Sequence, residues 1–111
     1  MGVDPNVAII GAGPAGLMAA EVLLEKGIAV DIFEAKPTIG RKLLMAGKSG
    51  LNITHTENFK LFLSRFSAQF NTLENSIRSF TPTMLQQWTS NLGIETFEGS
   101  SKRVFPREMK A

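Results

Sequence analysis

A glycine-rich turn between a short apolar run and a helical segment constrains this sequence more than any other feature. Residues 7–10 are continuously apolar and partly β-branched, which is typical of a strand buried on both faces of a parallel sheet. Residues 14–26 are mostly helix formers, apolar on nearly every side of the predicted helix, and Gly27 follows as the expected stop. Residues 29–33, apolar except for Asp31, read as a second strand. The pattern predicts a strand, a well-covered helix and a second strand, with parallel strands and a right-handed connection.

The turn itself carries a pattern with a known physical use. It reads Gly11-Ala12-Gly13-Pro14-Ala15-Gly16, a G-x-G-x-x-G directly between the predicted strand and helix. Gly11 permits the tight turn, Gly13 lets backbone approach a pyrophosphate, and Gly16 lets the helix pack closely on the strand. Unpaired N–H groups and the positive end of the helix dipole favour an anion at the start of the helix. This context predicts dinucleotide binding.

A carboxylate follows at the end of the second strand. Glu34 stands at the distance from the glycine turn at which a carboxylate accepts hydrogen bonds from the ribose hydroxyls of an adenosine. Its charge repels a 2′-phosphate, which disfavours NADP at this position. The spacing therefore predicts an adenine dinucleotide and leaves FAD and NAD both open.

Composition narrows the class of protein. The 111 residues, 43% hydrophobic and 20% charged, suit one small domain and are too few for a complete multi-domain enzyme. A net charge of +2 does not indicate a nucleic-acid partner. Without cysteine and with a single histidine, no metal site, disulfide or thiol catalysis is expected. No apolar run approaches the about 20 residues that cross a membrane, and no targeting segment is recognisable, so we expect a cytoplasmic protein without a membrane partner.

The middle of the chain is predicted to be a loop. Residues 36–57 combine proline, glycine and basic residues without a sustained period, which predicts a long ordered loop, and loops of this length tend to be functional or disordered. Leu43 and Leu44 allow one turn of helix within it. His55, the single histidine, is a conceivable acid or base, but no partner can be placed beside it. We therefore expect His55 to be a loop or cap residue.

The remaining residues predict a helical segment over 58–93. The first helix spans 58–70 and follows a capping-box candidate at 54–57. A later helix begins with the cap Thr81 and the helix-start residue Pro82, and ends at Gly93. The apolar residues expected to face inward on the second and third helices are Leu73, Ile77, Phe80, Leu85, Trp88 and Leu92. Residues 94–111 are expected to form a short strand, over 94–97, and a tail.

A second motif resembles a family signature. The segment 40–54 resembles the G-R-K-L-L-x-S-G-x-G-R-C-N-x-T-N signature of the BaiN/RdsA-type, aminoacetone-oxidase-like NAD(P)/FAD-dependent flavoproteins. The matching residues are Gly40, Arg41, Lys42, Leu43, Leu44, Gly47, Asn52 and Thr54. Residues 103–106 and 110–111 resemble a second segment of that family. The departures at Ala46, at 48–51 and at His55 put the substrate in doubt but not the cofactor. The glycine turn with Glu34 also resembles the FAD-binding N-terminus of glutathione-reductase-type proteins.

The resemblance implies an α/β fold in which a Rossmann-like FAD-binding βαβ unit is followed by a long loop and a helical segment. Under this resemblance the chain contains only part of the FAD-binding domain, and the remainder of the parent protein is its expected partner. FAD is the implied cofactor, with NAD(P)H as a possible electron donor and a small molecule as substrate. The implied cofactor-binding residues are Gly11, Ala12, Gly13, Pro14, Ala15, Gly16, Glu34, Ala35, Lys36, Gly40, Arg41, Lys42 and Asn52. Hydride transfer between substrate and flavin is the implied reaction, with no catalytic residue identified.

Two other functions stay open at this point. A non-catalytic module could bind the adenine dinucleotide through the same turn and perform no turnover. An NAD-dependent dehydrogenase domain is the weaker alternative, because the sequence has no tyrosine and no His-Asp arrangement of the kind such enzymes use.

Overall fold

A computed structural model describes residues 6–66 and 70–111 of the chain. The chain divides into two compact units, Met1–Ala46 and Gly47–Ala111. Each unit has its own sheet, one parallel and two-stranded, the other antiparallel and three-stranded. None of the helices in the described ranges has both the length and the apolar content needed to cross a membrane.

The first unit is the predicted strand–helix–strand crossover with one short added helix. Its two strands pair in parallel, from Asn6 opposite Ala29 to Ile10 opposite Phe33. The elements are β1 (Asn6–Ile10), α1 (Pro14–Glu25), β2 (Ala29–Phe33) and α2 (Arg41–Ala46). The structure therefore confirms the parallel α/β unit, and it extends the predicted turn near Leu43 to a six-residue helix.

Both ends of α1 follow from the sequence. Gly13 is the N-cap and Pro14, which has no N–H to leave unpaired, is the first helical residue. At the other end, the Ile28 amide donates to the Leu23 carbonyl at 3.0 Å, while Gly27 adopts a φ of +74°. This pair of features is a Schellman motif, which satisfies carbonyls that the helix leaves free.

The burial predicted for β1 and α1 was wrong. Along β1, exposed and half-buried residues alternate, and Ile10 is 81% exposed. Ile9 faces α1, and successive strand residues point to opposite faces, so α1 covers only one side of the strand. On α1, Ala20 is buried, but Leu24 is 60% exposed. One helix and two strands provide a single covered interface, which is why the outer faces of both elements are exposed.

In the residues that the structure describes, the second unit combines three helices with a three-stranded sheet. Its elements are β3 (Thr54–His55), α3 (Phe59–Ser64), α4 (Phe70–Ser79), α5 (Pro82–Asn91), β4 (Thr96–Glu98) and β5 (Arg103–Pro106). The strand order is β3-β5-β4, with both pairs antiparallel. The predicted loop at 36–57 thus contains α2 and β3, and the predicted tail contains β5. These strands were missed because they form by pairing between distant parts of the sequence, Thr54 opposite Val104, and have little local pattern.

Helix α3 begins differently from the prediction. Its N-cap is Asn58, whose side chain accepts from the Lys60 amide at 3.0 Å. The capping box predicted at 54–57 was wrong, because its first two residues belong to β3. The helix ends at Ser64, short of the predicted 70, and residues 67–69 lie outside the described ranges.

Helix α5 begins as predicted. The Thr81 side chain accepts from the Met84 amide at 3.2 Å, and Pro82 is the first helical residue. Leu92, however, is 54% exposed, because it is the C-cap that follows the last helical residue and not part of the inward stripe.

A small apolar core holds the second unit together. Leu63 and Val104 are 4% and 1% exposed, and Pro106, two residues after Val104 on β5, is also buried. Thr89, 3% exposed, is a buried polar residue whose hydroxyl donates to the Gln86 carbonyl at 2.8 Å. Of the predicted inward residues, Leu73, Ile77, Leu85 and Trp88 are half-buried and Phe80 is 39% exposed.

Candidate nucleotide-binding site

The glycine turn joins β1 to α1 through a backbone conformation that favours glycine. Gly11 has a φ of +101°, a conformation that residues with a Cβ rarely adopt. Its amide donates to the Phe33 carbonyl at 2.7 Å, which continues the pairing between the strands by one residue. The chain therefore leaves the sheet edge abruptly and enters the helix almost at once.

The absence of a side chain has a different consequence at Gly16 than at Gly13. A Cβ on Gly16 would overlap the Gly11 carbonyl oxygen and lie 3.2 Å from Cγ2 of Ile9, so only glycine lets α1 pack this closely. A Cβ on Gly13 would meet nothing within 4 Å. The space beside Gly13 is open, as the approach of a bound group to the backbone requires.

Several amides at the start of α1 are free to bind a ligand. Pro14 has no N–H, and the first helical hydrogen bond runs from the Leu17 amide to the Gly13 carbonyl at 2.9 Å. Within the described parts of the chain, the amides of Gly13, Ala15 and Gly16 donate to no acceptor. Unpaired N–H groups at the positive end of a helix dipole suit an anion such as a pyrophosphate. These residues therefore fit the phosphate portion of a dinucleotide.

Glu34 lies against the glycine turn. Its Oε1 accepts from the Ala12 amide at 2.9 Å and its Oε2 accepts from the Lys36 amide at 2.9 Å. Two backbone hydrogen bonds hold the pKa of the Glu34 carboxyl below its ordinary value, and the one from Ala12 has the larger effect, ahead of the one from Lys36. A carboxylate has about four lone-pair sites, so an ionised Glu34 retains capacity to accept from ribose hydroxyls.

The backbone of Gly40 also forms a hydrogen bond with the glycine turn. Its amide donates to the Ala12 carbonyl at 2.8 Å, and its own carbonyl accepts from the Leu44 amide at 3.0 Å as α2 begins. Ala12 is only 1% exposed. The sequence motifs placed Gly40 and Ala12 in separate segments, and no local pattern indicated this contact.

The other predicted residues lie in two places. The structure brings the glycine turn, Glu34, Lys36 and Gly40 together in the first unit, whereas Asn52 belongs to the second unit, exposed just before β3. Pro14, Ala15, Ala35, Lys36, Arg41 and Lys42 are exposed. Arg41 donates from Nη1 to Oγ1 of Thr38 at 3.0 Å. The contact of each of these residues with a cofactor stays a prediction.

The second unit has a pocket of mixed polar and apolar lining that the sequence did not indicate. Its volume is about 360 Å³, and it is lined by His55, Thr56, Glu57, Phe59, Thr81, Pro82, Thr83 and Gln86. His55 was predicted in a loop or cap but lies in β3, where its Nδ1 accepts from the Glu57 amide at 3.2 Å. The Glu57 side chain is 6% exposed and binds Arg65 through two hydrogen bonds of 2.6 and 2.7 Å. This ion pair lowers the pKa of Glu57 and raises that of Arg65.

Known proteins resemble this chain, one family along most of its length and individual relatives over shorter parts. The family described as HI0933-like protein Rossmann domain matches residues 5–111. Thiamine thiazole synthase of Pyrobaculum aerophilum is 34% identical over 82 residues, which cover 74% of this chain and 31% of the relative. Carotenoid phi-ring synthase of Streptomyces griseus is 32% identical over 87 residues, which cover 75% and 16%. Ribosomal RNA dihydrouridine synthase of Haemophilus influenzae is 47% identical over 49 residues, which cover 44% and 12%. The chain thus spans less than a third of the length of these relatives.

Proposed function

This chain belongs to the HI0933-like Rossmann-domain family, and we propose that it is the FAD-binding N-terminal portion of a flavin-dependent oxidoreductase. In this proposal hydride moves between a small-molecule substrate and the flavin. The observation that carries the proposal is the set of unpaired amides at the start of α1 beside the ionised Glu34. This arrangement provides hydrogen-bond donors for a pyrophosphate and acceptors for a ribose within one turn.

Each part of the site has a binding role in the proposal. The amides of Gly13, Ala15 and Gly16 bind the pyrophosphate, and Glu34 accepts from the adenosine ribose. Arg41 and Lys42, exposed at the start of α2, supply positive charge for anionic oxygens. A bound flavin supplies the hydride chemistry, while the chain supplies its position and electrostatic surroundings.

The named relatives support a shared cofactor more than a shared substrate. Their names refer to a thiazole, a carotenoid ring and a uridine in ribosomal RNA, which have little chemistry in common. Because one chain resembles all three, we assign the likeness to cofactor binding. We propose NAD(P)H as the electron donor of the complete protein and leave its substrate unnamed.

The first test is the absorption spectrum of the purified full-length protein. Flavin bands near about 450 nm, with FAD identified by chromatography after heat release, are the expected result. A Gly13→Glu variant should be colourless yet folded, because its carboxylate enters open space and repels the pyrophosphate. Glu25→Gln, an exposed charge change at the far end of α1, serves as the control and should stay yellow.

Two other results would redirect the assignment. Colourless wild-type protein that cannot be reconstituted with FAD but binds ADP would support a non-catalytic adenine-dinucleotide module. Protein that binds neither would contradict the site itself. For yellow protein, anaerobic addition of NADH or NADPH should bleach the flavin band, and bleaching by neither would exclude both as electron donors.

A further inference from the structure

Ala12 belongs to two successive peptide planes, and each plane is held by a different segment. The amide of Ala12 shares a plane with the Gly11 carbonyl, and it donates to Glu34 Oε1 at 2.9 Å. The carbonyl of Ala12 shares the next plane with the Gly13 amide, and it accepts from Gly40 at 2.8 Å. Neither plane can rotate without breaking its hydrogen bond, and at 1% exposure Ala12 has little access to water as a substitute partner.

This geometry fixes the direction of a ligand-binding donor. In a trans peptide the N–H points opposite to the C=O, so the bond from Gly40 to the Ala12 carbonyl turns the Gly13 N–H away from Gly40. That amide is one of the unpaired donors at the start of α1. Donors that are already oriented lose less conformational freedom on binding, which raises affinity.

Glu34 provides the other half of this support. Because its second oxygen accepts from the Lys36 amide at 2.9 Å, the carboxylate ties the glycine turn to the segment that leaves β2. Hydrogen bonds to an ionised carboxylate are stronger than those between neutral groups. Glu34 thus holds the turn in place through its own contacts with the backbone.

We propose that Glu34 is a positioning residue for the pyrophosphate, acting through the Ala12 peptide, in addition to being an acceptor for ribose. This inference rests on the proposed function of the same site. It implies that Glu34 contributes to the binding of ligands that have no ribose hydroxyls. A residue that acted only on ribose would contribute nothing to such ligands.

The test compares three ligands by calorimetry on the full-length protein freed of nucleotide. The ligands are ADP, 2′,3′-dideoxy-ADP and inorganic pyrophosphate, and the variant is Glu34→Gln. Glutamine offers one acceptor oxygen and would place an NH₂ group against an amide donor, so one of the two backbone bonds is lost. We expect dideoxy-ADP and pyrophosphate to bind about tenfold more weakly to Glu34→Gln, with ADP weakened further.

Two controls separate positioning from general damage. Glu25→Gln makes the same charge change at an exposed place on α1 and should leave all three affinities unchanged. Partial unfolding of Glu34→Gln would reduce the number of binding sites and not the affinity per site, and calorimetry reports both. Hydrogen exchange in the peptide that contains Ala12 should accelerate in Glu34→Gln.

The possible outcomes are distinct. If Glu34→Gln weakens ADP alone and leaves dideoxy-ADP and pyrophosphate unchanged, Glu34 acts only on ribose and the inference is overturned. If the wild-type protein binds none of the three ligands, the proposed function fails, and the inference fails with it.

Discussion

In the first unit the buried residues are Ala12, Ala20 and Gly40, whereas in the second they include Leu63 and Val104. The first unit keeps its shape through close backbone contacts, such as Gly16 packed on the Gly11 carbonyl and the hydrogen bonds on either side of Ala12. The second keeps its shape through apolar side chains between helices and a sheet. Backbone contacts place amides accurately for a ligand, while buried side chains contribute most of the stability.

Exposed apolar side chains follow the same division. In the first unit they are Ile10, Val22, Leu24, Ile32, Phe33, Ile39, Leu43, Leu44 and Met45. In the larger second unit they are Leu61, Phe80, Met84, Leu92, Ile94, Phe97 and Met109. The first unit therefore buries less apolar surface for its size, and we expect it to unfold at lower denaturant concentration than the second.

The largest effect is expected from Gly16→Ala. The new methyl overlaps the Gly11 carbonyl oxygen, which is backbone and cannot move aside, so α1 must shift away from β1. We expect a loss of about 3 kcal/mol or more in the free energy of unfolding of the first unit, together with complete loss of FAD. Hydrogen exchange in the α1 peptide measures the loss of stability, and the flavin absorption of the purified variant measures the loss of FAD.

Gly13→Ala is the matched variant for that prediction. Its methyl meets nothing within 4 Å, so the unit should stay folded while cofactor binding weakens. Equal destabilisation by the two alanines would contradict the view that close backbone packing at Gly16 maintains the first unit.

Val104→Ala is expected to have the next largest effect, and it falls on the second unit. Val104 is 1% exposed, and removing its two methyl groups should cost about 2 kcal/mol. Trp88 is the single tryptophan of the sequence and lies in α5, so its fluorescence reports unfolding of the second unit. The control Val22→Ala removes the same atoms from a side chain 44% exposed on α1 and should cost less than half as much. Because Val22 lies in the first unit, flavin release measures this cost. Equal costs would mean that the exposed face of α1 is covered in the complete protein.

The sequence predicted the first unit well because its signals are local. The strand, the glycine turn, the proline at the start of α1 and the glycine at its end follow one another closely along the chain and have direct structural meanings. What it missed was burial, because an apolar residue has the same pattern whether or not another element covers it. The contacts of Ala12 with Glu34 and Gly40 were also missed, because they join segments that are far apart in the sequence.

The second unit was predicted only in part, for the opposite reason. Helix α5 has a cap and a proline that were read correctly from the sequence. Strands β3 and β5 are short and form by pairing with each other, so no short stretch of the sequence predicts either strand on its own. Arg65, which pairs with Glu57, is the C-cap of α3, whereas the sequence predicted that this helix continues to residue 70.

A smaller effect, equal in the two units, is expected at the glycines that end α1 and α5. Gly27 and Gly93 have φ angles of +74° and +81° and lie in the same Schellman geometry. Alanine in this conformation should cost about 1 kcal/mol at either place, because its Cβ approaches the carbonyl oxygen. Flavin release for Gly27→Ala and Trp88 fluorescence for Gly93→Ala measure the two costs. A much larger cost for Gly27→Ala than for Gly93→Ala would show that the first unit tolerates backbone strain less well than the second.

The smallest effect is present at neutral pH and lost in the acid range, and it falls on the second unit. Arg65 lowers the pKa of Glu57 below its ordinary value of 4.5. A carboxyl whose pKa is lower in the folded state stabilises that state above its unfolded pKa, and this contribution is lost as pH falls through the folded value. Glu57→Gln should therefore lower the denaturant midpoint of Trp88 fluorescence at pH 7, and the difference from wild type should shrink below pH 4.5.

Glu95→Gln is the control. It breaks an ion pair with Arg107 in which the two side chains are 78% and 66% exposed, so it should change the midpoint less at pH 7. A Glu57→Gln difference that stayed constant with pH would mean that packing, and not the charge on Glu57, stabilises this part of the second unit.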